Sequence, residues 1–202
     1  MIYIYGDSHA NAGFSELSLP NKNYWASSIT MFRIGRDNHI INYNQDEVKS
    51  EDIVCLVYGE VDCRCHVQKQ INLGGNEDNI IFELVDNYFK TIKNNIKSYK
   101  KIIVVSVIPP ATQSLFEELY GPIKHDFPFV GSDENRVRFR TKINALKEKL
   151  CLEYGYIYFN PYDFCTNPNG TLDNSSNGDV HIIQEYAKKV TNSLSDLISS
   201  LS

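Results

Sequence analysis

Residues 2–10 read IYIYGDSHA, a short apolar run that ends in a glycine, an acid, a serine and a histidine. The run at residues 2–5 is rich in β-branched and aromatic side chains and lacks polar alternation, which is typical of a strand buried on both faces of a parallel sheet. Ser8 then stands at the carboxyl end of this strand, just ahead of a predicted helix start. Its hydroxyl is expected to face a cleft, although a simple helix cap by Asp7 or Ser8 explains the tetrapeptide equally well.

Further apolar runs of similar composition recur along the chain, at residues 29–34, 53–58, 102–108 and 156–159. Between them lie longer stretches in which apolar residues repeat at helical spacing opposite a polar face, at residues 79–99, 134–154 and 180–201. Strands that alternate with helices predict right-handed βαβ crossovers and a doubly wound parallel sheet. Because no internal repeat or linker is present, residues 1–202 are expected to form one α/β domain.

The composition narrows the classes of protein that the chain can belong to. It has 202 residues and a net charge of −5, so no basic face is expected for binding nucleic acid. No apolar run is long enough to span a bilayer and the start lacks a signal-peptide pattern, which predicts a cytoplasmic protein with no membrane partner. The five cysteines are scattered and odd in number, and are expected to be reduced thiols.

The stretch GDVH at residues 178–181 supplies what a nucleophilic serine would need. A serine hydroxyl requires a base, and the base requires a carboxylate that holds its tautomer. His181 and Asp179 provide both groups on the connection between the fifth predicted strand and the last predicted helix. Taken alone, such a pair is more often a helix cap beside a surface histidine.

A third polar stretch, YGEVDCR at residues 58–64, follows the third predicted strand. Gly59 is expected to let the backbone approach a substrate closely, and Glu60, Asp62 and Arg64 are expected to line the cleft. The three polar stretches follow strands one, three and five of one sheet, so they meet at the edge where ligands bind in open α/β sheets. This conjunction favours a catalytic site over three unrelated surface loops.

The order GDSH, GEVD and GDVH resembles the conserved blocks of the SGNH (GDSL-like) hydrolase superfamily, over nearly the whole chain. The resemblance implies a three-layer α/β/α sandwich with a flavodoxin-like five-stranded parallel sheet. It also implies a Ser-His-Asp esterase with Ser8 as nucleophile and oxyanion donor, His181 as general base and Asp179 as the acid. Gly35, after the second predicted strand, matches the glycine that would give a second oxyanion donor.

Two departures from the family's pattern bear on activity. The third block usually carries an asparagine that donates to the oxyanion, and Val61 stands there; the GExD form is more similar to carbohydrate O-acetylesterases. The fourth block usually places its acid three residues before the histidine, where this chain has Gly178. Asp179 is then the nearest acid, or the site works as a Ser8–His181 dyad. Because losing one oxyanion donor costs about a hundredfold in rate, weak activity or none is a second expectation.

The run of Cys63, Cys65 and His66 raises the question of a metal site. A C-x-C pair is tighter than the usual zinc spacing, and a structural site needs a fourth ligand that the sequence does not supply. The site is therefore expected to hold no metal. No dinucleotide or phosphate-binding motif is present either, so no cofactor is expected.

A long connection at residues 109–133 carries several aromatic side chains and His125. The aromatic residues suit either stacking on sugar rings or a small satellite core that pins the loop. The alternating Arg136, Arg138 and Arg140 that follow it are expected to point into water.

Taken together, these patterns predict a serine esterase that removes, or transfers, a small acyl group. The expected group is an acetyl ester on a carbohydrate or another small molecule. The alternative is a glycan-binding domain that kept the fold and lost full chemistry. Val61 and the displaced acid favour this alternative, whereas Ser8 and His181 in their contexts count against it. The oligomeric state is not predicted by the sequence.

Overall fold

The central sheet has five parallel strands. The computed structural model describes residues 1–96, 101–124, 127–173 and 178–201. The strands are β1 (Ile2–Gly6), β2 (Asn21–Trp25), β3 (Ile53–Val57), β4 (Lys101–Val105) and β5 (Ile157–Phe159), in the spatial order β2-β1-β3-β4-β5. All neighbouring pairs are parallel, which confirms the predicted fold class.

The strand order reverses at β1, because the chain adds β2 on one side of it and β3 on the other. In open α/β sheets the crevice at such a switch point, outside the carboxyl ends of the strands, is where ligands bind. Residues 7–9 follow β1 and residues 58–61 follow β3, so both segments flank this crevice.

Helices cover both faces of the sheet, within the described part of the chain. They are α1 (Ser8–Phe14), α2 (Met31–Asp37), α3 (Val67–Asn72), α4 (Glu77–Asn95), α5 (Gln113–Tyr120), α6 (Asp133–Tyr154) and α7 (Gln184–Ser200). Alternate strand residues enter two separate cores: one packs against α2, α4 and α6, the other against α1 and α7. This two-sided burial is the reason that the strands read as continuous apolar runs.

The prediction of the second strand at residues 29–34 is wrong. β2 lies earlier, at Asn21–Trp25, and its more polar, half-buried composition reflects its position at the sheet's edge. Residues 31–37 form α2 instead, because Thr30 caps this segment: its hydroxyl accepts a hydrogen bond from the Arg33 amide at 3.0 Å. A run of apolar residues this short does not by itself distinguish a strand from a helix.

The segment after β3 is helical. A π-helical turn at Asp62–His66 leads directly into α3. Across the described residues, none of the helices combines the length and apolar character that crossing a bilayer requires.

Candidate active site

Ser8 and His181 meet at the carboxyl edge of the sheet, although 173 positions separate them in the chain. The Oγ atom of Ser8 lies 2.9 Å from Nε2 of His181, and Nδ1 of His181 lies 3.2 Å from Oδ2 of Asp179. Burial, the largest single effect, opposes ionisation of Asp179, but the hydrogen bond and charge of His181 and the backbone amides of Val180 and His181 together outweigh it and lower the pKa of the carboxyl group. The three side chains thus form a linear array of hydroxyl, imidazole and carboxylate.

Local structure around Ser8 explains how the hydroxyl is presented. Gly6 ends β1 where α1 approaches closely: a Cβ there would lie 2.5 Å from the Ala10 side chain and 2.6 Å from the Val57 carbonyl. The buried Asp7 caps α1 by accepting a hydrogen bond from the His9 amide at 2.9 Å. The cap is therefore Asp7, and Ser8, as the first residue of α1, keeps its hydroxyl for His181.

Asp62, expected to line the cleft, lies beneath it instead. It is fully buried, and its two oxygens accept hydrogen bonds from the amides of Met31, at 2.7 Å, and Phe32, at 3.2 Å. Burial raises the pKa of Asp62 to about 7, against the stabilising effect of these amides. Asp62 is thus a cap for the first turn of α2, supplied from 31 positions away.

Glu60 and Arg64 form a buried ion pair. The guanidinium donates two hydrogen bonds to the Glu60 carboxylate, at 2.7 and 3.1 Å, and a further one to the Phe127 carbonyl. Burial, the largest single effect, would raise the pKa of Glu60, but the charges and hydrogen bonding of Arg64 and His9 together outweigh it and the pKa is lowered. The pair therefore connects the helical segment after β3 to the loop at Phe127. Both side chains are buried, whereas they were expected to line the cleft.

His9 lies between this ion pair and His181. Its ring is buried and lies 4.7 Å from the ring of His181, centroid to centroid. Its Nε2 is 3.4 Å from Oε2 of Glu60, which is ion-pair range without the alignment of a hydrogen bond. Burial favours the neutral ring, but the carboxylates of Glu60 and Asp7 outweigh it and raise the pKa of His9.

Gly59 does not offer its backbone to a ligand in the way expected. It has a φ of 126°, and a Cβ there would lie 2.7 Å from the Val107 side chain and 3.1 Å from Met31. The close approach that requires glycine is therefore made by the protein itself. Val61, two residues after Gly59, is buried.

Gly35 also lies away from the position expected of it. It belongs to α2, and a Cβ there would lie 2.9 Å from the Cβ of Asn87 on α4, so glycine at this position allows the two helices to pack closely. The residues that do follow the second strand are Ser27 and Ser28. Ser28 has a φ of 62°, an uncommon conformation for a residue other than glycine. The sequence offered no signal for this loop, because the strand before it was misplaced.

Two basic side chains are buried beneath the site. Lys147 was not predicted from the sequence, and the prediction for Arg136 is wrong. Lys147 of α6 is fully buried and donates to the carbonyls of Tyr58, at 3.0 Å, and Val105, at 2.8 Å, at the ends of β3 and β4. Burial lowers its pKa to about 8. Arg136, expected in water, is fully buried and donates to the Gly131 carbonyl at 2.7 Å.

The other two arginines of this row differ from each other. Arg140 is half-buried and donates to the Val107 carbonyl at 2.9 Å, whereas Arg138 is exposed, as expected, and pairs with Glu77 at 2.8 Å. In the connection before them, Phe116 of α5 and Phe129 lie 5.4 Å apart, edge to face. This contact favours the satellite core over a sugar-stacking surface. His125 lies outside the described residues.

The cysteines of the segment after β3 are buried thiols. Burial raises the pKa of Cys63 well above its usual range. Across the part of the chain that the structure describes, no group of three or more histidine, cysteine or carboxylate side chains is arranged to hold a metal ion.

Several solved structures share this fold. A GDSL-like lipase from Bacteroides thetaiotaomicron superposes with a TM-score of 0.63 at 13% identity, covering 100% of this chain and 88% of that one. A carbohydrate acetylesterase from Sinorhizobium meliloti has a TM-score of 0.54 at 14% identity, covering 100% and 99%. An acetylxylan esterase from Geobacillus stearothermophilus, solved as a catalytic mutant, has a TM-score of 0.53 at 12% identity, covering 96% and 91%. At such identities the likeness shows the fold, which is that of the SGNH hydrolases.

At the level of sequence, the chain has a short match. No curated protein matches the chain. The family model described as the SipA vinculin binding site matches residues 181–201, essentially α7. In this fold the apolar side of α7, with Ala187, Val190 and Leu194, is buried against the sheet and α1. The match therefore covers one core helix and carries no functional argument here.

Proposed function

We propose that the protein is a serine esterase that removes a small acyl group, acetyl in the simplest case, from a hydroxyl of a carbohydrate-type substrate. The observation that carries the proposal is the 2.9 Å contact between Ser8 Oγ and His181 Nε2 at the switch point of the sheet. The acetylesterases that share the fold support the choice of an acetyl ester and of a carbohydrate.

The array acts by the chemistry of a Ser-His-Asp site. Ser8 Oγ attacks the ester carbonyl while its proton passes to Nε2 of His181, and the imidazolium then returns this proton to the departing alcohol. Water repeats the sequence against the acyl-enzyme, which releases the acid and restores Ser8. The Asp179 carboxylate, held near Nδ1, favours the tautomer with a free Nε2 and stabilises the imidazolium.

The oxyanion is proposed to rest on two backbone amides. Ser8, at the start of α1, directs its own amide toward the developing charge. The second donor is proposed to be the amide of Ser27 or Ser28, in the loop after β2, rather than Gly35, since β2 runs beside β1 with Trp25 in register with Gly6. The next residues of each strand therefore emerge side by side. Val61 offers no amide side chain, so two donors replace the usual three.

An acyl group on Ser8 is also open to attack by a second sugar hydroxyl, which would make the same residues an acyltransferase. Transfer and hydrolysis share the first half of the reaction and differ in the acceptor. The contact between Ser8 and His181 argues against the glycan-binding alternative, because binding alone does not require a base within hydrogen-bond reach of a serine.

The test is hydrolysis of p-nitrophenyl acetate by the wild-type protein, by Ser8→Ala and by a control, Ser199→Ala. The control removes an exposed hydroxyl near the C-terminal end of α7, whereas His181 precedes the N-terminal end. Circular dichroism checks that all three are folded. Activity in the wild type and control that disappears in Ser8→Ala supports the proposal. Equal rates in all three folded proteins, or no hydrolysis of this or any acetylated sugar, contradict it.

A further inference from the structure

A cleft of about 450 Å³ opens beside the catalytic edge, between the loop after β2 and the helical segment after β3. Ser27 and Ser28 form one wall of it. The same loop is tied to β1 by a hydrogen bond from the Ala26 amide to the Gly6 carbonyl, at 3.1 Å. Because Gly6 stands two residues before Ser8, the cleft begins at the end of the sheet that carries the nucleophile.

The cleft contains an aromatic platform. The rings of Phe32 and His66 are stacked, with their centroids 4.1 Å apart, and Phe32 is 40% exposed. Burial, followed by the charge of Lys69, lowers the pKa of His66, so its ring is neutral at neutral pH. A second cleft of about 280 Å³ shares Phe32 and His66 and extends the groove along α2. An outer face of this stacked pair, with the Arg36 guanidinium 5.8 Å from the Phe32 centroid, is suited to the apolar face of a sugar ring that also carries an anionic group.

Cations surround the platform. Arg33, Arg36 and Lys69 line the larger cleft, and none of its described lining residues carries a carboxylate. Asp37, just outside, accepts two hydrogen bonds from Arg36 and lies 3.6 Å from Arg33. Because each guanidinium has five N–H donors, this carboxylate leaves most of them available. Glu83 lines the second cleft, but the three cations outnumber Asp37 and Glu83, so the local charge is positive in a chain whose net charge is −5.

We infer that this cleft binds an acidic sugar, a pyranose that carries a carboxylate or a phosphate, and presents its acylated hydroxyl to Ser8. The sugar ring stacks on an outer face of the Phe32–His66 pair while the guanidinium groups of Arg33 and Arg36 bind the anionic group, a match that favours arginine over lysine. The inference rests on the proposed esterase activity and names its substrate class. It goes beyond that activity, because a neutral acetyl ester would need none of these charges.

The experiment compares substrates that differ in one charged group: acetylated methyl glucoside, acetylated methyl glucuronide and acetylated glucose phosphate. The wild type is expected to show a kcat/KM at least about tenfold higher for one or both anionic esters, mainly through KM, and the preference falls in high salt. The two anionic arms separate a carboxylate from a phosphate as the preferred group. In Arg33→Gln/Arg36→Gln the ratio of anionic to neutral kcat/KM is expected to approach one.

The matched control is Lys149→Gln/Lys189→Gln, which removes the same charge from exposed side chains of α6 and α7. It is expected to keep the wild-type ratio. A wild-type ratio of one or less, or a ratio that the arginine variant leaves unchanged, overturns the inference while the esterase stands.

Calorimetry with glucuronate, glucose phosphate and glucose separates this inference from the proposed activity. Should no ester be hydrolysed at all, the activity fails, and binding of either anionic sugar that is lost in the arginine variant still supports the cleft. Absence of binding by both anionic sugars in wild-type protein overturns it.

Discussion

The two segments that flank the switch point, residues 7–9 after β1 and residues 58–66 after β3, lie side by side but are built differently. The first buries Asp7 and His9 but leaves Ser8 half-buried, in contact with His181. The second turns its charged side chains inward, where Asp62 caps α2 and Glu60 pairs with Arg64. Polar residues at the same edge of a sheet therefore divide into those that face a substrate and those that hold the edge together.

Burial separates the two roles. Asp179 and His181 remain partly exposed, as groups that must meet a substrate and water do, whereas Glu60 and Asp62 are almost wholly buried. A buried charge is kept only if it is paired, so the segment after β3 is expected to contribute to stability and the Ser8 edge to rate. Variants in the two segments can break or sharpen this division.

The largest effect is expected from Ser8→Ala. Without the hydroxyl no acyl-enzyme can form, and kcat should fall by roughly 10⁴-fold or more, with little change in the free energy of unfolding. Steady-state kinetics with p-nitrophenyl acetate and a urea titration measure the two quantities. A large loss of stability with activity retained would reverse the role assigned to this edge.

Arg64→Met is expected to act on stability instead. It leaves the buried Glu60 carboxylate without its guanidinium, at a cost of about 3–5 kcal/mol in the free energy of unfolding. The double variant Glu60→Gln/Arg64→Met removes the stranded charge and should be more stable than the single one. Urea titrations of both provide the comparison. If Arg64→Met has the same free energy of unfolding as the wild type, the ion pair does not contribute to stability.

Asp179→Asn lies between these extremes. The carboxylate is 38% exposed, so water can replace part of its effect on His181, and we expect a loss of about a hundredfold in kcat. The measurement is kcat for Ser8→Ala, Asp179→Asn and wild type under the same conditions. Equal losses in the two variants would contradict a site that works largely through Ser8 and His181.

The smallest effect concerns Lys147, beneath the ends of β3 and β4. Its pKa is about 8 in the folded protein, below the usual 10.5, so the folded state releases its proton first as pH rises. Stability from this group therefore increases between pH 8 and about 10.5, by roughly 1 kcal/mol per pH unit. Urea titrations across this range should show a steeper rise for wild type than for Lys147→Met. If stability rises with pH equally in both proteins, the pKa of Lys147 is not lowered in the folded state.

The sequence predicted the parts of the fold that depend on local pattern. β1, β3, β4 and the long helices α4, α6 and α7 follow from apolar runs and helical spacing. β2 was missed because its residues are polar and half-buried, as those of an edge strand are, while the apolar residues after it belong to α2. Gly35 was misplaced for the same reason, since its assignment depended on that strand.

The residues of the site likewise separate into those that local sequence predicts and those that it does not. Ser8, His181 and Asp179 could be proposed because each motif carries its chemistry within a few residues. The partners of Asp62 and Lys147 are distant in the chain, as is His9, the second partner of Glu60, and a buried role leaves no local pattern. The basic cleft was equally hidden, because its lining comes from three separate segments.

The most direct test of the central claim is covalent labelling of the protein with a fluorophosphonate, followed by mass spectrometry of its peptides. An activated serine displaces fluoride and keeps the phosphonyl group on Oγ, while the base takes the proton. The account predicts one adduct, on Ser8, that is absent from Ser8→Ala and strongly reduced in His181→Ala. An adduct on another residue, or labelling of Ser8 that does not depend on His181, would contradict it.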